Sequence, residues 1–368
     1  MNIDVDFTAR QEVPRWLAYG SSVFTILAAL LVGAVALVTL NVNPLDAYQV
    51  MFVQQLTGLT GISNVLEKST PLILAGLAVY IPLRAGLWNI GATGQIYIGA
   101  IIGTWIGINV TAPSFVLLIL MFLGAALGGM LWGFIPGYLR AKWGVNEIIT
   151  SLLISYAAIE INGYMVRGPM QGGAGNFPVS AVLPSGAQLP EIPIIESHIG
   201  ILIALLFAVI VYVVVQKTNV GYEITFTGSN PDAARQAGMN SFYIYVMVFV
   251  AAGALAGMAG LIEIAGVQDR LRPDFSPGYG FTAIVVALLG RGNAFKVVLA
   301  ALFFGLLLVG GTSLEVAYTV PSALVEVIQA LVILFLITAE FLKSYKVDID
   351  FTMGESKPNP TASAEEGV

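Results

Sequence analysis

The sequence predicts an all-α fold: a polytopic membrane helix bundle of about ten transmembrane helices, some broken or re-entrant, with both termini cytoplasmic. Three observations predict it. Of 368 residues, 57% are hydrophobic and 10% charged, where a soluble domain has about 25% charged. Mean hydropathy is +0.85. The apolar residues also fall in runs of the length a bilayer demands, about 20 residues of helix.

The chain opens with 1–16, a polar segment carrying Arg10 and Arg15 and read as cytoplasmic. The apolar run 17–40 follows without a small-x-small site near its end. It exceeds the roughly 7–15 residues of a signal-peptide core, so it reads as an uncleaved first span. Full-length runs recur at 114–138, 146–165, 198–216, 241–266 and 323–342, and shorter or interrupted ones at 64–82, 90–108, 279–290 and 295–312. The run 279–290 is the weakest and reads as re-entrant or as extending into its flanks. Residues 17–346 thus form the transmembrane domain.

Lys and Arg gather on cytoplasmic loops. With the N-terminus inside, Arg84, Arg140, Lys142, Lys217, Arg235, Arg291, Lys296, Lys343 and Lys346 all fall inside. Lys68, Arg167, Arg270 and Arg272 fall outside, the last two with Asp269 and Asp274 as neighbours. The external loop 167–197 holds five Pro and five Gly; loops of that length are often functional. The loop 217–240 is cytoplasmic. The acidic tail 347–368 reads as disordered.

Composition excludes several chemistries. Cysteine is absent, which removes disulfides, thiolate metal sites and cysteine nucleophiles. The one histidine, His198, stands at the external start of a span and reads as an interface residue; no metal site is predicted. No basic block suggests nucleic acid. Net charge is −6 with only 7 Lys, a balance that points to a salt-adapted host.

Residues 83–100 read "LRAGLWNIGATGQIYIGA". Pro71, Pro82, Gly86, Gly91 and Gly94 disrupt helix in one neighbourhood, since Pro lacks a donor and Gly loosens the backbone. Freed backbone groups are tolerated at membrane depth only against protein or a watery cavity, so 83–95 should be a broken element facing the interior. Asn89, Thr93 and Gln95 then have two readings, a route for a neutral polar solute or groups that satisfy the broken backbone. Glu160 with Asn162 is a second pathway candidate, because charges within spans face the interior; a hydrogen-bonded structural acid is the other reading. Glu263 also lies within a span, and Glu147, Glu315 and Glu326 lie near span ends. Glu147 suits a helix N-terminus. Glycines four apart (Gly99, Gly103, Gly107; Gly129, Gly133, Gly137; Gly253, Gly257) form stripes that let helices approach closely.

The loop "GSNPDAARQAGMN" has a mechanical signature. Asn230–Pro231 starts a turn, Pro231 suits the first helical position, "DAARQA" favours helix, and Gly238 can end it in the left-handed conformation. A short helix carrying Asp232 and Arg235 should lie under the membrane.

Five ordered motifs, "GLWNIGATGQIYIGA", "WGVNEIITSLLISYAA", "GSNPDAARQAGMN", "GALAGMAGLIEIAG" and "SPGYGFTAIVVALLGRGNAF", resemble permease subunits of ABC importers. The resemblance covers roughly 20–345 and is to the sugar and nucleoside (ribose- and guanosine-type) branch, related to branched-chain amino-acid permeases. It implies a permease that passes a nucleoside or simple sugar, delivered by an extracytoplasmic substrate-binding lipoprotein, across the plasma membrane of a prokaryote. It further implies separate ABC ATPase subunits and a second permease, a shorter paralogue forming a heterodimer. ATP and Mg would sit on the partners and no cofactor on this chain, a transport subunit rather than an enzyme. The chain lacks G-x-x-x-x-G-K-[ST], the phosphate cradle of such ATPases. Gly228, Asn230, Pro231, Asp232, Ala234, Arg235 and Gly238 correspond to the family's ATPase-coupling helix. The match departs at Thr93, where relatives often carry Glu, and at Thr225 or Phe226, where they often carry Arg, which shifts weight onto Arg235. Two other classes compete: an ion-coupled secondary transporter, which would use mid-membrane acids such as Glu160 and Glu263, and an intramembrane enzyme, for which one peripheral His leaves poor acid–base options.

Overall fold

The computed structural model describes residues 2–9, 15–172, 177–290 and 292–352, with side chains for 27–172, 177–290, 292–335, 338 and 339. Arg10 and Arg291, used above to assign sides, lie outside the described residues. In order the elements are β1 (Asn2–Ala9), α1 (Arg15–Thr39), α2 (Pro44–Tyr48), α3 (Gln54–Thr57), α4 (Leu59–Arg84), α5 (Ala92–Asn109), α6 (Ser114–Trp143), α7 (Glu147–Arg167), β2 (Glu191–Ile192), β3 (Ser197–His198), α8 (Gly200–Lys217), α9 (Asn219–Ser229), α10 (Pro231–Gln236), α11 (Ser241–Glu263), α12 (Tyr279–Leu289), α13 (Ala294–Tyr318), α14 (Ser322–Ser344) and β4 (Tyr345–Thr352). A π turn joins α2 to α3 at Gln49–Val53, and another extends α11 at Ile264–Gln268.

Every predicted apolar run contains helix. Among the described residues six helices are long and apolar enough to cross a membrane: α4, α6, α7, α8, α11 with its π turn, and α13. The protein is a polytopic helical membrane protein. α12 has 11 residues, about 16 Å of helix, which alone falls short of the roughly 30 Å hydrocarbon layer. α8 starts at Gly200, two residues after the predicted run, which leaves His198 in the β2–β3 hairpin.

The chain divides into two compact units, 1–41 with 326–368 and 42–325. In the first, β1 and β4 pair antiparallel, Ile3 opposite Phe351, Val5 opposite Ile349 and Phe7 opposite Val347. Strand β4 thus takes in 347–352 of the tail expected to be disordered. Both segments alternate apolar and acidic residues with the period of two that a strand requires, and acidity masked that period. Residues 353–368 of the predicted tail lie outside the described residues.

In the second unit the core is α4, α5, α6 and α11. α4 is buried over most of its length, Ser69 to Pro82 without interruption. The glycine stripes are the contact surfaces. A side chain on Gly253 would run into the Gly129 carbonyl, one on Gly257 into the Ala125 carbonyl, and one on Gly99 into Gly257. Removing Cβ at these points lets α6 and α5 lie against the α11 backbone, which replaces hydrophobic driving force with close van der Waals contact, as helices in lipid must.

Candidate functional site: the break after α4 and the loop that docks on it

α4 ends at Arg84. Its last turn holds Pro82, and Gly86 adopts φ +72°, a left-handed conformation glycine takes at no steric cost. The chain then turns back along α4. Asn89 reaches the Ala78 carbonyl with its Nδ2 at 3.3 Å, six residues before Arg84, or about 9 Å back up the helix. Ala85, Leu87 and Asn89 are buried while Trp88 is partly exposed. The break therefore re-enters the core before α5 begins at Ala92.

Within it Asn89 and Gln95 pair their amides. Asn89 Nδ2 donates to Gln95 Oε1 at 3.0 Å, and Gln95 Nε2 donates to Asn89 Oδ1 at 3.3 Å. Both are buried, and the Gly94 N–H donates to Ser155 Oγ at 3.2 Å. Thr93 is buried against Gly280 and its hydroxyl has no hydrogen-bond partner. The predicted pathway amides thus meet each other.

Glu160 and Asn162 do not come together. Residues two apart on a helix face different ways. Asn162 is fully buried and its Nδ2 donates to the carbonyls of Arg272 and Pro273 at 2.8 and 2.9 Å, whereas Glu160 lies on the exposed face of α7 with Tyr156 and Tyr164. Glu147, at the start of α7, faces Arg140 at 3.4 Å and accepts from the Trp88 N–H at 3.4 Å, so it ties α6 and α7 to the break.

The predicted coupling residues occupy the end of α9 and all of α10. Asn230 Oδ1 accepts from the Ala233 N–H at 3.0 Å, capping α10. Pro231 takes its first position, Ala234 is buried, and Gly238 leaves it with φ +81°. Asp232 and Arg235 are exposed and paired at 2.8 Å. Sequence reasoning missed α9, whose Thr, Gly and aromatic residues give a poor helical propensity. α9 docks on the break: a side chain on Gly228 would run into the Arg84 carbonyl, and Gly86 lies against Gly228. Arg84 Nη2 donates to Thr225 Oγ1 at 3.1 Å. An open groove of about 860 Å³ flanks α10, lined by Arg140, Asp232, Arg235 and Tyr245 among others.

At the opposite end Glu263 is fully buried. It pairs with Lys68 at 2.9 Å and accepts from Gln268 and Tyr279, each at 2.9 Å. This buried acid joins α4, α11 and α12, and nothing in the sequence marks Lys68 or Tyr279 as its partner. The loop after α7 is stitched over this end: the N–H groups of Ser180, Leu183 and Leu189 donate to the carbonyls of Leu271, Asp269 and Ala265, and Ser63 Oγ donates to the Glu196 carbonyl. A cavity of about 440 Å³ opens beside Lys68, lined also by Asn64, Glu67, Thr312 and Ser313. His198, in the β2–β3 hairpin, is buried, its Nδ1 accepting from the Gly200 N–H at 3.1 Å. Burial, and secondarily the Lys68 charge, lower its pKa to about 4. Among the described residues no cluster of three or more His, Cys, Asp or Glu could hold a metal.

Residues 61–337 match the family described as "Branched-chain amino acid transport system / permease component". The chain is 57% identical over 95% of its length to a glucose ABC transporter permease protein of Haloferax volcanii, 95% of which is covered. It is 34% identical over 80% of its length to a guanosine ABC transporter permease protein of Bacillus subtilis, 84% of which is covered. It is 30% identical over 84% of its length to a nucleoside ABC transporter permease protein of Lactococcus lactis, 88% of which is covered. No solved structure matches.

Proposed function

The chain belongs to this permease-component family and is a membrane-embedded transport subunit of an ABC importer; from that premise we propose how it is built into the importer and what it carries. The α9–α10 loop is the contact with the ATPase. The observation that carries this reading is the Gly228–Gly86 packing, which sets the α9 backbone directly against the end of α4 and the break, a contact through which a push on α9 would reach α4. Arg235, exposed beside an open groove, presents the charge an ATPase surface would grip.

The chain crosses the plasma membrane of a prokaryote about ten times, with the α9–α10 end and both termini cytoplasmic and the loop after α7 outside. A substrate-binding protein docks on that outer loop and delivers the solute. Glu160 supports a second permease against α7. It lies thirteen residues into α7 from Glu147, about 20 Å along the axis, and its face is uncovered in the single chain. A carboxylate at that depth is not left to lipid, so this face meets a partner permease or the aqueous route between the two, and a shorter paralogue forming a heterodimer is the reading retained. An ion-coupled mechanism draws no support: Glu263 is occupied by Lys68, Gln268 and Tyr279, and the similar proteins above are ABC permeases.

The solute is a simple sugar of the glucose type, ahead of a nucleoside. The 57% identity to a glucose permease protein supports it, and the mostly apolar cavity beside Lys68 offers Asn64, Thr312 and Ser313 as hydrogen-bonding groups for a hydroxylated neutral solute. The test is uptake of labelled glucose beside labelled guanosine in a strain lacking this chain. Glucose uptake should be lost and guanosine uptake retained; the reverse would reassign the solute to nucleosides.

A further inference from the structure

A second cavity lies where α4 meets α9, beside the Gly86–Gly228 contact, and the transport reading assigns it no ligand. Its volume is about 450 Å³, and its walls include Tyr80, Arg84, Trp88, Thr225, Ser229 and Leu288. Two buried polar atoms in its wall have no hydrogen-bond partner: the hydroxyl of Tyr80, a residue 1% exposed, and Nε of Arg84. A buried polar atom without a partner is costly, and two lining one cavity call for a ligand that satisfies both. The charge balance says which kind. Among the described residues Arg84 has no carboxylate within ion-pairing distance, and its Nη2 donates only to the neutral Thr225 hydroxyl. Carboxylates are absent from the described lining, so a half-buried guanidinium stands there uncompensated.

We propose that this cavity binds a phosphate group carried on a small organic moiety. A guanidinium with a free Nε offers the charge-assisted hydrogen bonds that phosphate oxygens take best; Tyr80 donates a further one. Trp88 and Leu288 give the organic part an apolar wall, and the volume exceeds what a bare phosphate fills. Arg84 ends a membrane helix on the side assigned above as cytoplasmic. The same chemistry can therefore arrive as the headgroup of an inner-leaflet phospholipid, for which basic pockets between helices are apt, or as a soluble phosphate ester. Either ligand would touch α4 and α9 together, and so brace the contact between the coupling loop and the break.

The test measures the full-length purified chain, without ATPase or transport, so its failure would leave the importer reading untouched. One arm titrates sn-glycerol 3-phosphate against the chain in detergent by calorimetry. The other compares thermal unfolding in nanodiscs of phosphatidylglycerol with nanodiscs of a phosphate-free galactolipid. Tyr80→Phe keeps the ring and removes one hydrogen bond to a charged group; it should weaken binding about tenfold or more. Arg84→Gln should abolish it. Binding in the first arm, sensitive to both variants, supports the site and assigns a soluble ligand. Stabilisation in the second arm alone, lost in both variants, supports it and assigns a lipid headgroup. No effect in either arm, or effects of equal size in wild type and Tyr80→Phe, would overturn the proposal.

Discussion

Asn89 and Gln95 close on each other through two amide hydrogen bonds inside the core, at 3.0 and 3.3 Å. Each satisfies what the other would leave bare, and Asn89 adds the Ala78 carbonyl. Asn89→Leu should therefore strand the Gln95 amide and cost about 2 kcal/mol. The Asn89→Leu/Gln95→Leu double variant should cost less than the sum of the singles. A double-mutant cycle on thermal unfolding reads the coupling; strict additivity would mean the two amides act apart and would return them to the solute route.

Lys68 and Glu263 form a pair buried on one side only: the Lys68 side chain is 31% exposed and that of Glu263 not at all. Lys68→Met leaves an uncompensated buried carboxylate and should destabilise the chain by up to about 3 kcal/mol, the low end for a broken buried pair. Glu263→Gln retains groups able to bond Tyr279 and Gln268 and should cost less. Equal losses in the two variants would contradict the charge argument.

His198 gives the end of the bundle that holds Glu263 a pH dependence. Its pKa is lowered to about 4 in the folded chain, against about 6.5 when unfolded. The unfolded state binds the extra proton in between, so stability is full above about pH 6.5 and declines as pH falls toward 4. Thermal midpoints measured across that window should fall with pH, and His198→Asn should flatten the slope. An unchanged slope in the variant would assign the acid sensitivity to other groups.

Gly253 has no space for a side chain beside the Gly129 carbonyl. Gly253→Leu should force α11 and α6 apart and cost about 3 kcal/mol or more, beyond ordinary overpacking because the obstacle is backbone. Detergent-solubilised protein should lose its folded elution peak; a normal midpoint would show that the stripe tolerates separation.

The helices were legible because hydropathy and glycine spacing are local signals, and the break was legible because Pro82, Gly86 and Gly91 disrupt one short stretch. The cap of Asn230 and the left-handed Gly238 were legible for the same reason. Partners distant in sequence were not. Lys68 meets Glu263 across 195 residues and Gly86 meets Gly228 through backbone alone, and neither contact has a composition. Glu160 and Asn162 looked like a pair in sequence, but the helix sends one to the exposed face of α7 and the other into the core. The β1–β4 pairing was hidden because its strands alternate acid with apolar residues at the two ends of the chain, where acidity suggests disorder.

We propose that ATPase motion enters the permease through the contact of Gly228 with the end of α4. The most direct measurement is ATP hydrolysed per labelled glucose taken up by proteoliposomes holding the complete importer, with Gly228→Ala and Arg235→Glu beside the wild type. Uptake should require ATP, survive an uncoupler, and collapse at least tenfold in both variants, with Gly228→Ala still hydrolysing ATP on an assembled complex. Wild-type uptake per ATP in Gly228→Ala, or uptake driven without ATP by an ion gradient, would contradict it.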